Sequence, residues 1–208
     1  MDKLQYRSRE VEIRAARTDE DEMIAEGMAI LYNDEVVLWG TKDLEEREII
    51  LPGAATESIQ NDDWRSVWNH RNDVVLGRVS NGTLEVEETD AGVQVRIHFP
   101  DSEEGRSKFH SIQRGDVREM SFAFVPVDFT EERIVEGEKT IWKTSISKMQ
   151  VFEVSPVTFP TYANTTVSAR MAERRKQVEA EASAKNQAAA AAADRAATLR
   201  EMEITKLF

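Results

Sequence analysis

Three residues of this chain supply the parts of an acyl-transfer site, although they lie far apart in sequence. His70 sits in VWNHRND, directly after the apolar pair Val67 and Trp68 and Asn69. Ser121 heads the run REMSFAFVPV, whose alternation puts Met120, Phe122 and Phe124 on one face and Ser121, Ala123 and Val125 on the other. Glu153 interrupts the apolar run MQVFEVSPVTFP, between Phe152 and Val154. A serine hydroxyl is a weak nucleophile until a base takes its proton. An imidazole can do that near neutral pH and then protonate the leaving amine. A carboxylate fixes the ring tautomer and stabilises the imidazolium. Each residue also has an ordinary explanation: a histidine at a strand end, a strand serine bonded to neighbouring backbone, a glutamate facing water beside Val151 and Ser155. The spacing permits the three to meet and leaves these alternatives open.

Other chemistries find no support. There is no glycine-rich dinucleotide fingerprint, no phosphate loop, no His-Glu-x-x-His pair and no Gly-x-Ser-x-Gly elbow. His98 in RIHFP and His110 in KFHSI have no carboxylate or histidine at helical ligand spacing. Neither a metal nor a cofactor is expected.

The elements that must position these residues read as follows. Strands are predicted at Val11–Ala16, Ala25–Leu31, SVWNH, Gly77–Val79, Thr83–Glu88 and Val93–Phe99, with turns at Asn81-Gly82 and Asp90–Gly92. Short helices are predicted near Ala54–Gln60 and in SEEGRSKFHSIQRGD, ending at Gly115. REMSFAFVPVDF is a strand with an edge or bend at Pro126, and KTIWKTSISKMQVFEVSPVTFP supplies one or two more. Trp64, Trp68 and Phe109 read as packing residues, and Arg78 and Arg118 as surface residues. Many short strands with two or three short helices predict an α+β or mainly β domain, either a barrel or a strongly bent sheet.

Near Arg170 the composition changes. Residues 170–208 contain no Gly or Pro, are rich in Ala, Glu, Lys, Arg and Gln, and carry a net charge of +2. They are predicted to form a helical or partly disordered extension, 170–208, after a body of residues 1–169. The whole chain of 208 residues has a net charge of −12, so the body is near −14. Such a body repels phosphate backbones, and no nucleic-acid partner is expected. No apolar run is long enough to span a membrane, the first residues hold no apolar signal segment, and cysteine is absent, which fits a reducing compartment.

In order along the chain, EGMAILYN, LPGAATESI, VWNHRNDVVLGRVSNGTLEVEETDAGVQVRI, IQRGDVREMSFAFVPV and FEVSPVTFPTYANTTVSAR resemble the prohead maturation proteases of tailed bacteriophages. These are serine peptidases distantly similar to the herpesvirus capsid protease, assemblin. The resemblance runs from about Val11 to Arg170. It implies an α+β fold with a bent, assemblin-like β-barrel core ringed by helices, His70 as catalytic base and Ser121 as nucleophile. The third member is Glu153, with Asp73 as the alternative, because no histidine follows His110. It further implies a protease within the immature capsid, in the host cytoplasm, that cleaves scaffold or the scaffold-like segment of the major capsid protein, and itself. Those proteins are the partners implied, with a homodimer or higher oligomer left open. The competing expectation is a catalytically silent assembly protein of the same fold.

Overall fold

The computed structural model describes residues 4–9, 13–16 and 22–159 and, in the tail, 173–181, 183–185, 187–189, 191–192 and 195. Contacts divide the chain into two compact units, Met1–Asn164 and Thr165–Phe208. The tail residues described are helical and almost all exposed, as an Ala- and charge-rich sequence without a continuous apolar stripe dictates.

The first unit runs β1 (Gln5–Arg9), β2 (Ile13–Ala15), β3 (Ile24–Leu31), β4 (Val36–Gly40), β5 (Leu44–Ile50), α1 (Thr56–Asn61), β6 (Arg65–Trp68), β7 (Arg71–Arg78), a 3-10 turn at Val79–Asn81, β8 (Leu84–Thr89), β9 (Gly92–His98), α2 (Glu103–Gln113), β10 (Glu119–Glu136) and β11 (Lys139–Val157). The fold is α+β and mostly strand. The strands pair into two open sheets, and no closed barrel is found among the described residues. One sheet has the order β1-β10-β11-β5-β4, with β6 beside β11 and β7 beside β6; the other has the order β2-β3-β9-β8.

The centre of the larger sheet is the long antiparallel hairpin β10–β11. One side of β11 faces β10. Its other side pairs in parallel with β5 along Thr140–Ile146 and with β6 at Glu153 and Val154. The predicted bend at Pro126 falls on a register shift between Pro126 and Asp128. Below the hairpin, Met120, Phe122, Phe124, Ile146 and Met149 pack with Ile30, Ile50, Trp64, Leu84 and Ile97 into one dry core. Trp64 also donates from its indole to the Ser58 carbonyl at 3.2 Å, and Ser58 Oγ accepts from Val151 N at 2.9 Å, which fixes α1 against β11. In the second sheet β3 and β9 approach so closely that a Cβ on Gly92 would lie 1.9 Å from the Ile30 carbonyl oxygen, at a φ of +149° that favours glycine.

Strands β1, β4 and β5 lie outside the stretches predicted as strands, and the strand predicted at Gly77–Val79 is the end of β7 running into the 3-10 turn. In β5, LEEREII is charged yet largely buried. Its Glu48 forms a two-pronged ion pair with Arg7 of β1, at 2.6 and 2.7 Å. Burial would raise the carboxyl pKa of Glu45, but hydrogen bonds from Lys139 and Arg47 hold it below its ordinary value. Charge pairing therefore replaces apolar alternation in this strand. α2 begins where Ser102 accepts from Gly105 N at 3.0 Å, with Glu103 and Glu104 in the first turn.

Candidate active site

His70 lies in the tight turn between β6 and β7, not in a strand as SVWNH suggests. Trp68 pairs with Arg71, which leaves Asn69 and His70 as a two-residue loop. Both have positive φ, 52° and 58°. A hairpin turn of this hand normally takes Asn-Gly, because the second position is costly for a residue with a Cβ. Here a histidine occupies the glycine position, held there by several contacts. Asn69 N donates to the Pro156 carbonyl at 3.1 Å. The Asn69 side chain donates to Thr158 Oγ1 at 3.1 Å and accepts from Thr158 N at 2.8 Å. His70 N donates to Ser155 Oγ at 3.3 Å. The turn is thus clamped to the end of β11.

Above that clamp, His70 Nδ1 lies 2.5 Å from Glu153 Oε1. Ser155 Oγ donates to the other carboxylate oxygen, Oε2, at 2.5 Å. One hydroxyl therefore orients both the acid and the turn that carries the imidazole. With its proton on Nδ1 toward Glu153, the ring leaves the Nε2 lone pair on the side away from that carboxylate. Nε2 is buried and has no hydrogen-bond partner among the described residues. The Tyr6 ring of β1 meets the imidazole edge-on, with centroids 4.7 Å apart. Burial, and then the charge of Glu153, push the Tyr6 phenol pKa up, so it is neutral at physiological pH.

Ser121 is directly opposite Ser155 in the β10–β11 ladder, and Ala123 is opposite Glu153. Opposed residues share a face, so Ser121, Glu153 and Ser155 all lie on the side of the sheet that carries His70. The Ser121 hydroxyl is fully buried and donates to the Arg7 carbonyl at 3.0 Å. Among the described residues no hydrogen bond joins it to His70. The sequence suggested two possibilities for this serine, a nucleophile or a strand serine bonded to backbone. In this structure its hydroxyl makes the backbone bond, one strand away from the imidazole.

Asp73 is apart from this cluster. It is exposed and binds Arg71 at 2.8 and 3.2 Å, and that guanidinium holds its carboxyl below the usual range. His98 pairs with Glu85 at 2.6 Å on the second sheet, and His110 with Gln113 at 3.2 Å on α2. Among the described residues no group of His, Cys, Asp or Glu could hold a metal ion. A shallow cavity of about 310 Å³ opens beside the imidazole, lined by Asn69, His70, Val157, Thr158 and Phe159. The larger cavity, about 500 Å³, lies on the second sheet among Arg14, Glu26, Glu85 and Arg96 and has no part in this site.

The sequence matches the family model of the caudovirus prohead serine proteases over residues 9–180, most of the chain. The chain belongs to that family. No curated protein and no solved structure gives a significant match. As a member of the family, the chain is a serine peptidase, and the family implies a role in capsid maturation and interaction with capsid proteins of the prohead. Among the described residues no helix is long and apolar enough to cross a membrane.

Three features of this candidate site were missed in the sequence. Ser155 reads as an ordinary strand residue; its only signal is its place two positions after Glu153, on the same face. Asn69 is marked only by its position before the histidine in a two-residue loop. Tyr6 lies in β1, a strand the sequence does not announce.

Proposed function

We propose that the chain hydrolyses peptide bonds through Ser121 as nucleophile, His70 as general base and acid, and Glu153 as the carboxylate that orients the ring. The observation that carries this reading is the 2.5 Å contact of Glu153 with His70 Nδ1, which leaves Nε2 unpartnered on the face shared with Ser121. In the reaction Nε2 takes the Ser121 proton as Oγ attacks the carbonyl carbon. It returns that proton to the departing nitrogen. Water then attacks the ester by the same route, and the acid is released. Ser155 and the Asn69 turn position the base throughout. The substrates are scaffold or the scaffold-like segment of the major capsid protein, and the chain itself, inside the immature capsid.

One observation favours a second reading, a silent assembly protein: the Ser121 hydroxyl is sealed from solvent and engaged with Arg7. Ser121→Ala separates the two. Incubated with the capsid precursor and followed by mass spectrometry, the wild type yields defined fragments and the variant yields none. Cleavage that survives in Ser121→Ala, or a wild type that never cuts, rejects the protease assignment. Alanine suits a buried strand position, so the variant keeps its fold, which circular dichroism checks.

A further inference from the structure

What seals Ser121 is the strand β1, and the manner in which it does so is informative. β1 runs antiparallel along β10, from Gln5 opposite Phe124 to Arg9 opposite Met120. It is the end strand of its sheet, so its only strand partner among the described residues is β10. Peptide ligands are commonly bound by adding a strand to a free sheet edge in this way. The Ser121 hydroxyl sits on the Arg7 carbonyl oxygen, 3.0 Å away. In a serine peptidase the residue whose carbonyl meets the nucleophile contributes the acyl group, and its side-chain pocket sets primary specificity.

The Arg7 side chain fills such a pocket. It is 2% exposed. Its Nε donates to Glu48 Oε1 at 2.6 Å and a terminal nitrogen donates to Oε2 at 2.7 Å. The other terminal nitrogen donates to the Tyr6 carbonyl at 3.0 Å, and Gln5 accepts a further bond. The guanidinium carbon lies 5.6 Å from the centre of the Phe124 ring. A buried carboxylate with an aromatic wall matches the planar fork of arginine, and less closely the ammonium of lysine. An uncharged or acidic side chain would leave Glu48 buried without a counter-charge. The family match starts at residue 9, just beyond the Arg7–Ser8 bond.

We propose that the edge of β10 beside Ser121 is the substrate groove, that β1 occupies it as a substrate does with its Arg7–Ser8 bond presented, and that Glu48 selects arginine or lysine at the acyl position. This rests on the protease reading above. Ser121 Oγ attacks the Arg7 carbonyl carbon and His70 Nε2 takes the hydroxyl proton. The carbon–nitrogen bond breaks, the proton passes to the Ser8 nitrogen, and residues 1–7 remain as an ester on Ser121. Water, losing its proton to His70, releases them with a carboxylate on Arg7 and restores the hydroxyl.

The test uses the full chain in three measurements. A fluorophosphonate, located by peptide mapping, reports whether Ser121 reacts at all. Intact-mass analysis over time follows self-cleavage, with Ser121→Ala as the uncut control. Quenched peptides differing only at the acyl residue compare Arg, Lys, Gln, Ala and Glu. The expected results are a product beginning at Ser8 and a kcat/KM for Arg about a hundredfold or more above Gln and Ala. Lys falls between them and Glu is not cut. Glu48→Gln brings Arg and Gln within about tenfold of each other; should that variant fail to fold, the wild-type panel decides alone. Cleavage without basic preference overturns the proposal and leaves the protease reading standing. So does a chain that cuts arginine peptides but never its own Arg7–Ser8 bond, because β1 is then a fixed structural strand. No label on Ser121 and no cleavage of any peptide removes both.

Discussion

At the scale of residues, the site depends on one hydroxyl that does not react. Ser155 donates a hydrogen bond to Glu153 and accepts one from the His70 backbone, so it holds the carboxylate and the imidazole in one frame. A hydrogen bond to a charged group contributes about 1.5–3 kcal/mol, equivalent to roughly ten- to a hundredfold in rate when it acts on the transition state. Ser155→Ala is therefore expected to lower kcat by about that factor with KM nearly unchanged. Ser155→Thr, which keeps the hydroxyl, is expected to recover part of the loss. Peptide kinetics with paired melting curves checks this; a variant that loses stability but keeps kcat would show a purely structural role. Glu153 stood out because a carboxylate inside an apolar strand carries a cost; Ser121 was singled out as a nucleophile by the family resemblance and not by its pattern. Ser155 did not stand out, because a small polar residue in a strand breaks no pattern. His70 was legible as a type but misplaced as to element, since Asn-His lacks the glycine that normally announces a two-residue turn.

At the scale of elements, the β6–β7 hairpin that carries His70 is tied at its open end as well as at its turn. Asp63, just before β6, accepts from Arg78 at the end of β7, with Nε at 2.7 Å, and from Ser80 N at 3.0 Å. The Arg78 hydrogen bond, helped by that of Ser80, holds the Asp63 carboxyl at about 2. The depressed value means that the tie is at full strength above the ordinary aspartate pKa of about 3.9, and is lost as pH falls through about 2. The stability advantage of wild type over Asp63→Asn is expected to be constant from about pH 7 to 5 and to shrink as pH falls from about 4 to 2. Urea unfolding at a series of pH values measures it. A constant difference across that window would show that the tie contributes nothing through its charge. Strands β8 and β9 and helix α2 were read correctly from alternation, turn residues and capping. β1 and β5 were not, because QYRSR and LEEREII bury ion-paired side chains where pattern recognition looks for apolar ones. Whether KTIWKTSISKMQVFEVSPVTFP forms one strand or two was open in the sequence; it is the single strand β11, whose parallel pairing passes from β5 to β6 without a turn.

At the scale of the whole molecule, we propose that the acidic body carries the hydrolysis and the net-positive tail serves assembly. The residues proposed for catalysis, His70, Ser121 and Glu153, and Ser155, proposed to position them, all lie in the first compact unit. We expect that removing residues 171–208 leaves peptide cleavage within about twofold of the full chain, while incorporation into proheads is lost. Gel filtration of assembled particles followed by detection of the protease reads the second effect; normal incorporation of the shortened chain would refute a docking role for the tail.

On the catalytic assignment proposed above, the hairpin turn that carries His70 also fixes when hydrolysis can begin. Pro156, Thr158, Ser155 and Glu153 all hold that turn or its imidazole, and all belong to the stretch from β11 to the residue just after it. A ribosome finishes this stretch after every other strand of the body. A nascent chain exposes His70 and Ser121 long before the carboxylate and the clamp exist. On that assignment, synthesis order acts as a safety catch: hydrolysis awaits a completed β11, and a chain interrupted before it stays harmless to its neighbours.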